Sequence, residues 1–373
     1  MEINDLIPRP VIRAELVEAL RVGSVLLYGP RRVGKSTLLD LLGAEPPSRW
    51  ICLRIDLEGS LEQPVEGLAE LLRSHLVQAG LIGASALAER IEGVQAAGVG
   101  VTLREGLQRS PWAQMEDDLL RVVGAMEADL LVIALDELPW WLDAVAERDE
   151  PATARGALAS LRRMRQRRGL AGRLRVVLTG SIGLAGQASE LGASAELNDL
   201  TTIVMPPMSV EEGATLFEAE LTARSLPCCP EAARCATTLA GGSPYWIKRL
   251  AAACGRAGAL DVGAVEVASE ALLAPALRKQ FTDEGREHFR RRHTRVMPAL
   301  LAMLEAVSGA DRGNPRQAAL NAGLSVQPEL TMGETRECLY LLMDGFYLCE
   351  GPQDTLDWVN PLFRRWWLRY GGP

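Results

Sequence analysis

Lysine is nearly missing from this chain: of 373 residues only three are lysines (Lys35, Lys248 and Lys279), and the remaining basic residues are arginine. Histidine is as scarce. His75, His288 and His293 have no spacing suited to a metal, and neither a Gly-x-Ser-x-Gly elbow nor a Cys/His pairing occurs. These absences speak against a metal-dependent or nucleophile enzyme. The seven cysteines (52, 228, 229, 235, 254, 338 and 349) include no C-x-x-C pair, and an odd count fits no disulfide framework. A reduced, cytoplasmic chain is expected. No apolar run reaches the ~18 residues of a membrane span, and the acidic start Met1-Glu2-Ile3-Asn4-Asp5 lacks the apolar stretch of a signal peptide. The net charge of −8 argues against a surface that coats nucleic acid throughout, while leaving room for a local basic patch.

What is present starts with Val25-Leu26-Leu27-Tyr28-Gly29-Pro30-Arg31-Arg32-Val33-Gly34-Lys35-Ser36-Thr37-Leu38-Leu39. A short apolar run enters Gly-x-x-x-x-Gly-Lys-Ser, and a helical pattern leaves it, the context a phosphate-binding loop needs. Gly29 and Gly34 let the backbone turn sharply and bring its N–H groups to phosphate oxygens. Pro30, Arg31, Arg32 and Val33 fill the loop, and Thr37 follows it. The helix that starts near Lys35 adds the positive end of its dipole. Lys35 suits the β/γ-phosphates, and Ser36 suits Mg²⁺. A Gly-rich turn of no function would not need both flanks. A chain that otherwise writes its cations as arginine keeps lysine here, where a compact ammonium is required.

The second signal is Asp129-Leu130-Leu131-Val132-Ile133-Ala134-Leu135-Asp136-Glu137, about 100 residues further on. A continuous apolar run is a buried parallel strand, and it ends in carboxylates where an α/β sheet places ligands. Asp136 suits the Mg²⁺ shell, through water, and Glu137 suits polarising the attacking water. Further strands are expected at Ser24–Tyr28, Trp50–Asp56, Arg173–Thr179 and Leu200–Met205. Either Ser181 or Thr179, at the end of Arg173–Thr179, is the candidate to sense the γ-phosphate, a plain strand-end turn being the alternative. Gly93–Arg104 is a β-hairpin or a loop. The pairs Trp140-Trp141 and Trp366-Trp367 are partner-contact candidates or core. The arginines of 162–175 and 286–295 are phosphate contacts or solvated helix faces.

Ser209-Val210-Glu211-Glu212 is a capping box that opens a helical stretch to about Phe281. Within it Ser243 and Pro244 start a helix as N-cap and N1, and Pro244 joins the candidate nucleotide contacts. Three helical segments (Val296–Ser308, Pro315–Ala322, Glu334–Asp344) and two short strands (Gly345–Cys349, Thr355–Val359) make a winged helix-turn-helix. Its recognition helix, Glu334–Asp344, is weakly charged. That suits a protein partner better than a DNA major groove.

Together these stretches, with Val176–Leu184, Pro206–Ser209, Gly241–Tyr245 and Leu341–Trp367, resemble the STAND-clade AAA-like P-loop ATPases, the archaeal-type relatives of the origin-recognition ATPases. The resemblance implies an α/β fold: a P-loop NTPase core with a parallel five-stranded sheet (1–207), a helical lid (208–285) and a C-terminal winged helix (286–373). It implies ATP with Mg²⁺, since no guanine-reading Asn-Lys-x-Asp occurs, and a switch that couples nucleotide state to a protein partner. Oligomerisation on ATP binding and DNA binding through the winged helix stand as further expectations, a DNA-remodelling ATPase being the alternative. Two departures stand out. Glu196-Leu197-Asn198-Asp199-Leu200 lacks the arginine finger of relatives, and Ser181 replaces an asparagine sensor, so turnover is expected to be low.

Overall fold

The computed structural model describes residues 9–58, 67–83, 110–148, 151–180, 184–257, 261–273, 295–309 and 314–370. The expected hairpin or loop at 93–104 and most of the arginines of 286–295 lie outside them. The described residues divide into two compact units: one holds those within 9–28, 36–180 and 184–204, the other those within 29–35 and 205–370.

The first unit is built on five parallel strands in the order β2-β3-β4-β1-β5: β1 (Val25–Tyr28), β2 (Trp50–Asp56), β3 (Leu130–Asp136), β4 (Leu174–Gly180) and β5 (Thr201–Val204). The two central strands β3 and β4 are buried at every position, as a sheet covered on both faces requires. Leu131, Ile133 and Leu135 share a core with Leu72, Leu76, Leu119, Leu158 and Leu161 of helices Leu68–Gln78, Pro111–Ala125 and Pro151–Gln166. Register sets the far end of the sheet. Asp56 lies beside Asp136, Leu135 beside Leu178, and Tyr28 beside Gly180.

Most of the arginines of 162–175 are engaged by the fold, although Arg163 and Arg168 remain exposed. Arg165, buried, holds Asp199 through two N–H bonds (2.7 and 3.1 Å). Arg163 and Arg167 both reach Glu116. Arg173 donates to the carbonyls of Val123, Met126 and Ala128. Arg175 does the same for Leu20 and Ala171, and its burial lowers its pKa. Glu116 is itself buried, so these bonds are what make a buried carboxylate tolerable.

In the second unit Ser209 closes its capping box in both directions. Its hydroxyl accepts from Glu212 N–H at 3.1 Å, and Glu212 accepts from Ser209 N–H at 2.9 Å, an arrangement worth about 1 kcal/mol. Helices Val210–Thr222, Pro230–Leu239, Pro244–Ala257 and Val262–Leu272 follow. Then come Met297–Ser308, Arg316–Val326 and Met332–Asp344, with an antiparallel sheet in the order β6 (Asn314–Pro315), β8 (Thr355–Trp358), β7 (Leu348–Gly351), and a last helix, Pro361–Tyr370. The first hairpin strand starts three residues later than its apolar run suggests. Phe346 takes a left-handed φ of 57°, and Tyr347 N–H returns to the Leu342 carbonyl at 2.9 Å, so 345–347 close the preceding helix instead.

The tryptophan pairs resolve toward core. Trp141, Trp366 and Trp367 are buried and Trp140 is half-buried. Trp366 stacks on Phe363 with ring centroids 5.7 Å apart, and Trp367 Nε1–H donates to Glu305 at 2.8 Å. Among the described residues no helix is long and apolar enough to cross a membrane.

Candidate functional site: a phosphate loop and a carboxylate strand end

The loop belongs to the second unit. Gly34 has φ +101°, open only to glycine without strain. Gly29 is needed for a different reason: a Cβ there would lie 2.8 Å from the Met205 carbonyl oxygen. Lys35 is 4 % exposed. Its ammonium donates to the carbonyls of Gly29 and Pro30, both at 2.9 Å, so the lysine stays solvated by the loop it serves.

Several of the expected contacts gather around this loop. A Cβ on Gly34 would meet Pro244 Cγ at 3.8 Å and Met205 Cε at 3.6 Å, which puts the first residue of helix Pro244–Ala257 beside the second motif glycine. Arg32, at φ 61°, lays its guanidinium over the Tyr245 ring, 3.8 Å from the centroid. Ser243 Oγ donates to the Arg32 carbonyl at 3.4 Å. A cleft lined by Pro30, Arg31, Val33, Ser243, Trp246 and Phe346 opens beside the loop. The Arg32–Tyr245 stack was not foreseen from sequence, since 213 residues separate partners with no shared motif.

The first unit carries the strand-end carboxylates. Asp136 is fully buried. Its Oδ1 accepts from the Thr179 hydroxyl at 2.5 Å. Its Oδ2 accepts from Arg54 Nε at 2.9 Å and Nη2 at 2.7 Å. Burial alone would lower the Arg54 pKa, but Asp136, with Asp40 and Asp56, outweighs it and holds the guanidinium above its ordinary range. Glu137 has φ 56°, a left-handed conformation that costs ~1 kcal/mol or more in a non-glycine residue. Its N–H is fixed by the Thr179 hydroxyl at 3.0 Å. Thr179 is thus spent on orienting Asp136 and Glu137. Ser181 lies outside the described residues. Ser36 and Thr37 are half-buried in the first turn of helix Lys35–Ala44.

The donor set fits Mg²⁺ arriving with a nucleotide. Among the described residues no cluster of three or more His, Cys, Asp or Glu could hold a metal by itself. A carboxylate has about four lone-pair positions, and the three bonds described leave acceptor capacity on Asp136 Oδ1. One hydroxyl and one carboxylate, completed by water and phosphate oxygens, is the usual environment of Mg²⁺.

Arg54 was missed in the sequence. The signal was there: an arginine inside Trp-Ile-Cys-Leu-Arg-Ile-Asp, a strand otherwise apolar up to its terminal aspartate, needs an acidic partner.

No family model matches the sequence, and no curated protein matches it. Solved structures do. The chain is similar to a Walker-type ATPase of Pyrococcus abyssi at 18 % identity and TM-score 0.64, over 97 % of this chain and 96 % of that one. It is also similar to the ORC2 protein of Aeropyrum pernix, solved in ADPNP–ADP complexes, at 16 % identity and TM-score 0.54, over 95 % of this chain and 89 % of that one. The fold is that of P-loop ATPases.

Proposed function

We propose that this protein is an ATP-binding regulatory ATPase of low turnover, of the STAND/AAA-like kind, whose nucleotide state is read by a protein partner. Residues 1–207 act as the ATPase core, 208–285 as the lid and 286–373 as a winged helix. The observation that carries the reading is the loop itself. Gly29 and Gly34 occupy positions closed to any other residue, and a buried lysine is held on the loop's own carbonyls. Such a lysine exchanges carbonyl oxygens for phosphate oxygens without leaving its place.

In this reading the backbone N–H groups of 31–35 and the Lys35 ammonium take the phosphates, with Gly29 and Pro30 shaping the loop. Ser36 and Asp136 hold Mg²⁺, which neutralises charge on the transferring phosphoryl group. Glu137 orients and deprotonates the attacking water. Thr179 fixes both carboxylate residues, Ser181 serves as γ-phosphate sensor, and Pro244 packs against the bound nucleotide. Low turnover follows from 196–200, which offers no arginine finger. A finger would have to come from the arginines of 162–168 or from a partner. All seven cysteines are unpaired, as suits a reducing cytoplasm.

The test is steady-state ATP hydrolysis at low salt, with and without duplex DNA. Tight ATP binding with a slow, DNA-indifferent rate is expected, because Arg162, Arg165, Arg167, Arg173 and Arg175 are engaged internally. Strong stimulation by DNA that fades as salt rises would replace this reading with a DNA-remodelling ATPase. No ATP binding at all would remove it.

A further inference from the structure

Arg54 sits near the middle of β2 with one guanidinium set among three carboxylates. Nε and Nη2 fork onto Asp136 Oδ2 at 2.9 and 2.7 Å. Nη1 reaches Asp40 Oδ1 of helix Lys35–Ala44 at 3.0 Å, and Asp56 Oδ2 stands 3.8 Å from Nη2. Asp136 is the most buried of the three acids, fully enclosed beside half-exposed Asp40 and Asp56. A buried carboxylate without a partner is strongly unfavourable, so Arg54 supplies the counter-charge that holds Asp136 in place.

We infer that Arg54 is a positioning residue with two opposed effects: it aims the Mg²⁺-holding carboxylate, and it competes with Mg²⁺ for that carboxylate's charge. The inference rests on the ATP and Mg²⁺ reading above. The first effect follows from geometry. Two N–H groups of one rigid guanidinium converge on Asp136 Oδ2 and fix its position, which a lysine's point charge would not do. The Thr179 hydroxyl fixes Oδ1, so both ends of the carboxylate are held. The second effect follows from charge. A cation approaching Asp136 meets an ion pair rather than a bare carboxylate, and in a poorly solvated pocket the nearby guanidinium repels it. The strand end thereby discriminates against Mg²⁺ alone and favours Mg²⁺ brought by a polyphosphate. A simple structural ion pair between β2 and β3 would give neither effect.

The opposed signs make the inference testable. The full-length wild type, Arg54→Met and Arg54→Lys are titrated with Mg²⁺ while binding of a fluorescent ATP analogue is followed. Turnover of ATP and thermal melting are measured alongside. Arg54→Met is expected to reach half-maximal Mg²⁺-dependent binding at ~3–10-fold lower Mg²⁺, while its turnover falls ~10-fold because the carboxylate loses its aim. Arg54→Lys keeps the charge and loses the fork, so its Mg²⁺ requirement stays within ~2-fold of wild type while turnover falls by a similar ~10-fold. An unchanged or higher Mg²⁺ requirement in Arg54→Met overturns the inference. Should Arg54→Met not fold, wild-type turnover in Arg54→Lys overturns it. A wild type that binds no nucleotide at any Mg²⁺ concentration sinks the ATP reading beneath it. A Mg²⁺-responsive wild type with a Met variant of identical response sinks the Arg54 inference alone.

Discussion

The Thr179 hydroxyl donates to Asp136 Oδ1 at 2.5 Å while its oxygen accepts the N–H of the next residue, Glu137, at 3.0 Å. One buried side chain on β4 therefore sets the direction of the carboxylate at the end of β3 and the strained backbone that follows it. Thr179→Val keeps the shape and deletes both bonds. Turnover is expected to fall ~10-fold, with ATP affinity within ~3-fold of wild type. Stability should drop by about 1–2 kcal/mol, since a buried carboxylate oxygen and an N–H lose their partner. Single-turnover hydrolysis and urea unfolding measure the two effects. A normal rate would mean that Glu137 and Asp136 are aimed by other groups.

Glu137→Gln removes the proposed base and keeps the hydrogen-bonding shape. ATP binding should persist while hydrolysis slows at least ~10²-fold, the size of lost acid–base help. Equilibrium binding and phosphate release distinguish this from a folding defect. An unchanged rate would move the base elsewhere.

The loop makes its own prediction. Lys35→Ala should abolish measurable ATP binding by calorimetry, because the compact charge for the β/γ-phosphates is gone. Gly34→Ala should do much the same for a different reason. At φ +101° the new methyl group strains the backbone by ~1 kcal/mol or more and displaces the N–H groups proposed to meet phosphate. Retained affinity in both variants would remove the loop from the site.

Away from the site, Arg165 and Asp199 give a pH test. Burial pushes the Asp199 pKa up, but the hydrogen bond and charge of Arg165, helped by Arg162, outweigh it and hold the carboxyl below its ordinary 3.8. A carboxylate depressed in the folded state stabilises fully above its unfolded pKa and loses that contribution as pH falls through the folded one. Asp199→Asn should therefore cost about 2 kcal/mol at pH 7, less than a fully enclosed pair because Asp199 is partly exposed. The gap from wild type should close as pH drops below about 4. Denaturant midpoints at pH 7 and pH 3 provide the check, and a gap that widens in acid would contradict the pairing.

What could be read in the chain was whatever is local. Runs such as Leu130–Leu135 declare a buried parallel strand because every position must be apolar, and Ser209–Glu212 declares a helix start because both bonds of the box lie within four residues. The Gly-Lys-Ser loop is legible for the same reason. What escaped depends on partners brought together by topology. Arg54 meets Asp136 across 82 positions, and Arg163 meets Glu116 across 47. An arginine-rich stretch therefore looks like a basic face until its distant acids and carbonyls are found. The Trp366-Trp367 pair leaves two readings open in the same way. An amphipathic helix end and a core anchor share one spelling, and only the Phe363 and Glu305 contacts separate them. A second capping box, Thr331 with Glu334, was local and readable, but its cap sits three residues before Glu334, where the expected helix begins.

The buried ammonium of Lys35 also makes the chain a convenient chemical reporter. A lysine-directed protease finds three targets in the whole sequence, and an amine-acylating reagent meets the same three side chains besides the terminal amine; one of the three lies in the phosphate loop, held against two carbonyls. Modification at that single position, read by mass spectrometry, becomes a footprint of loop opening that needs no label, no tag and no engineered residue.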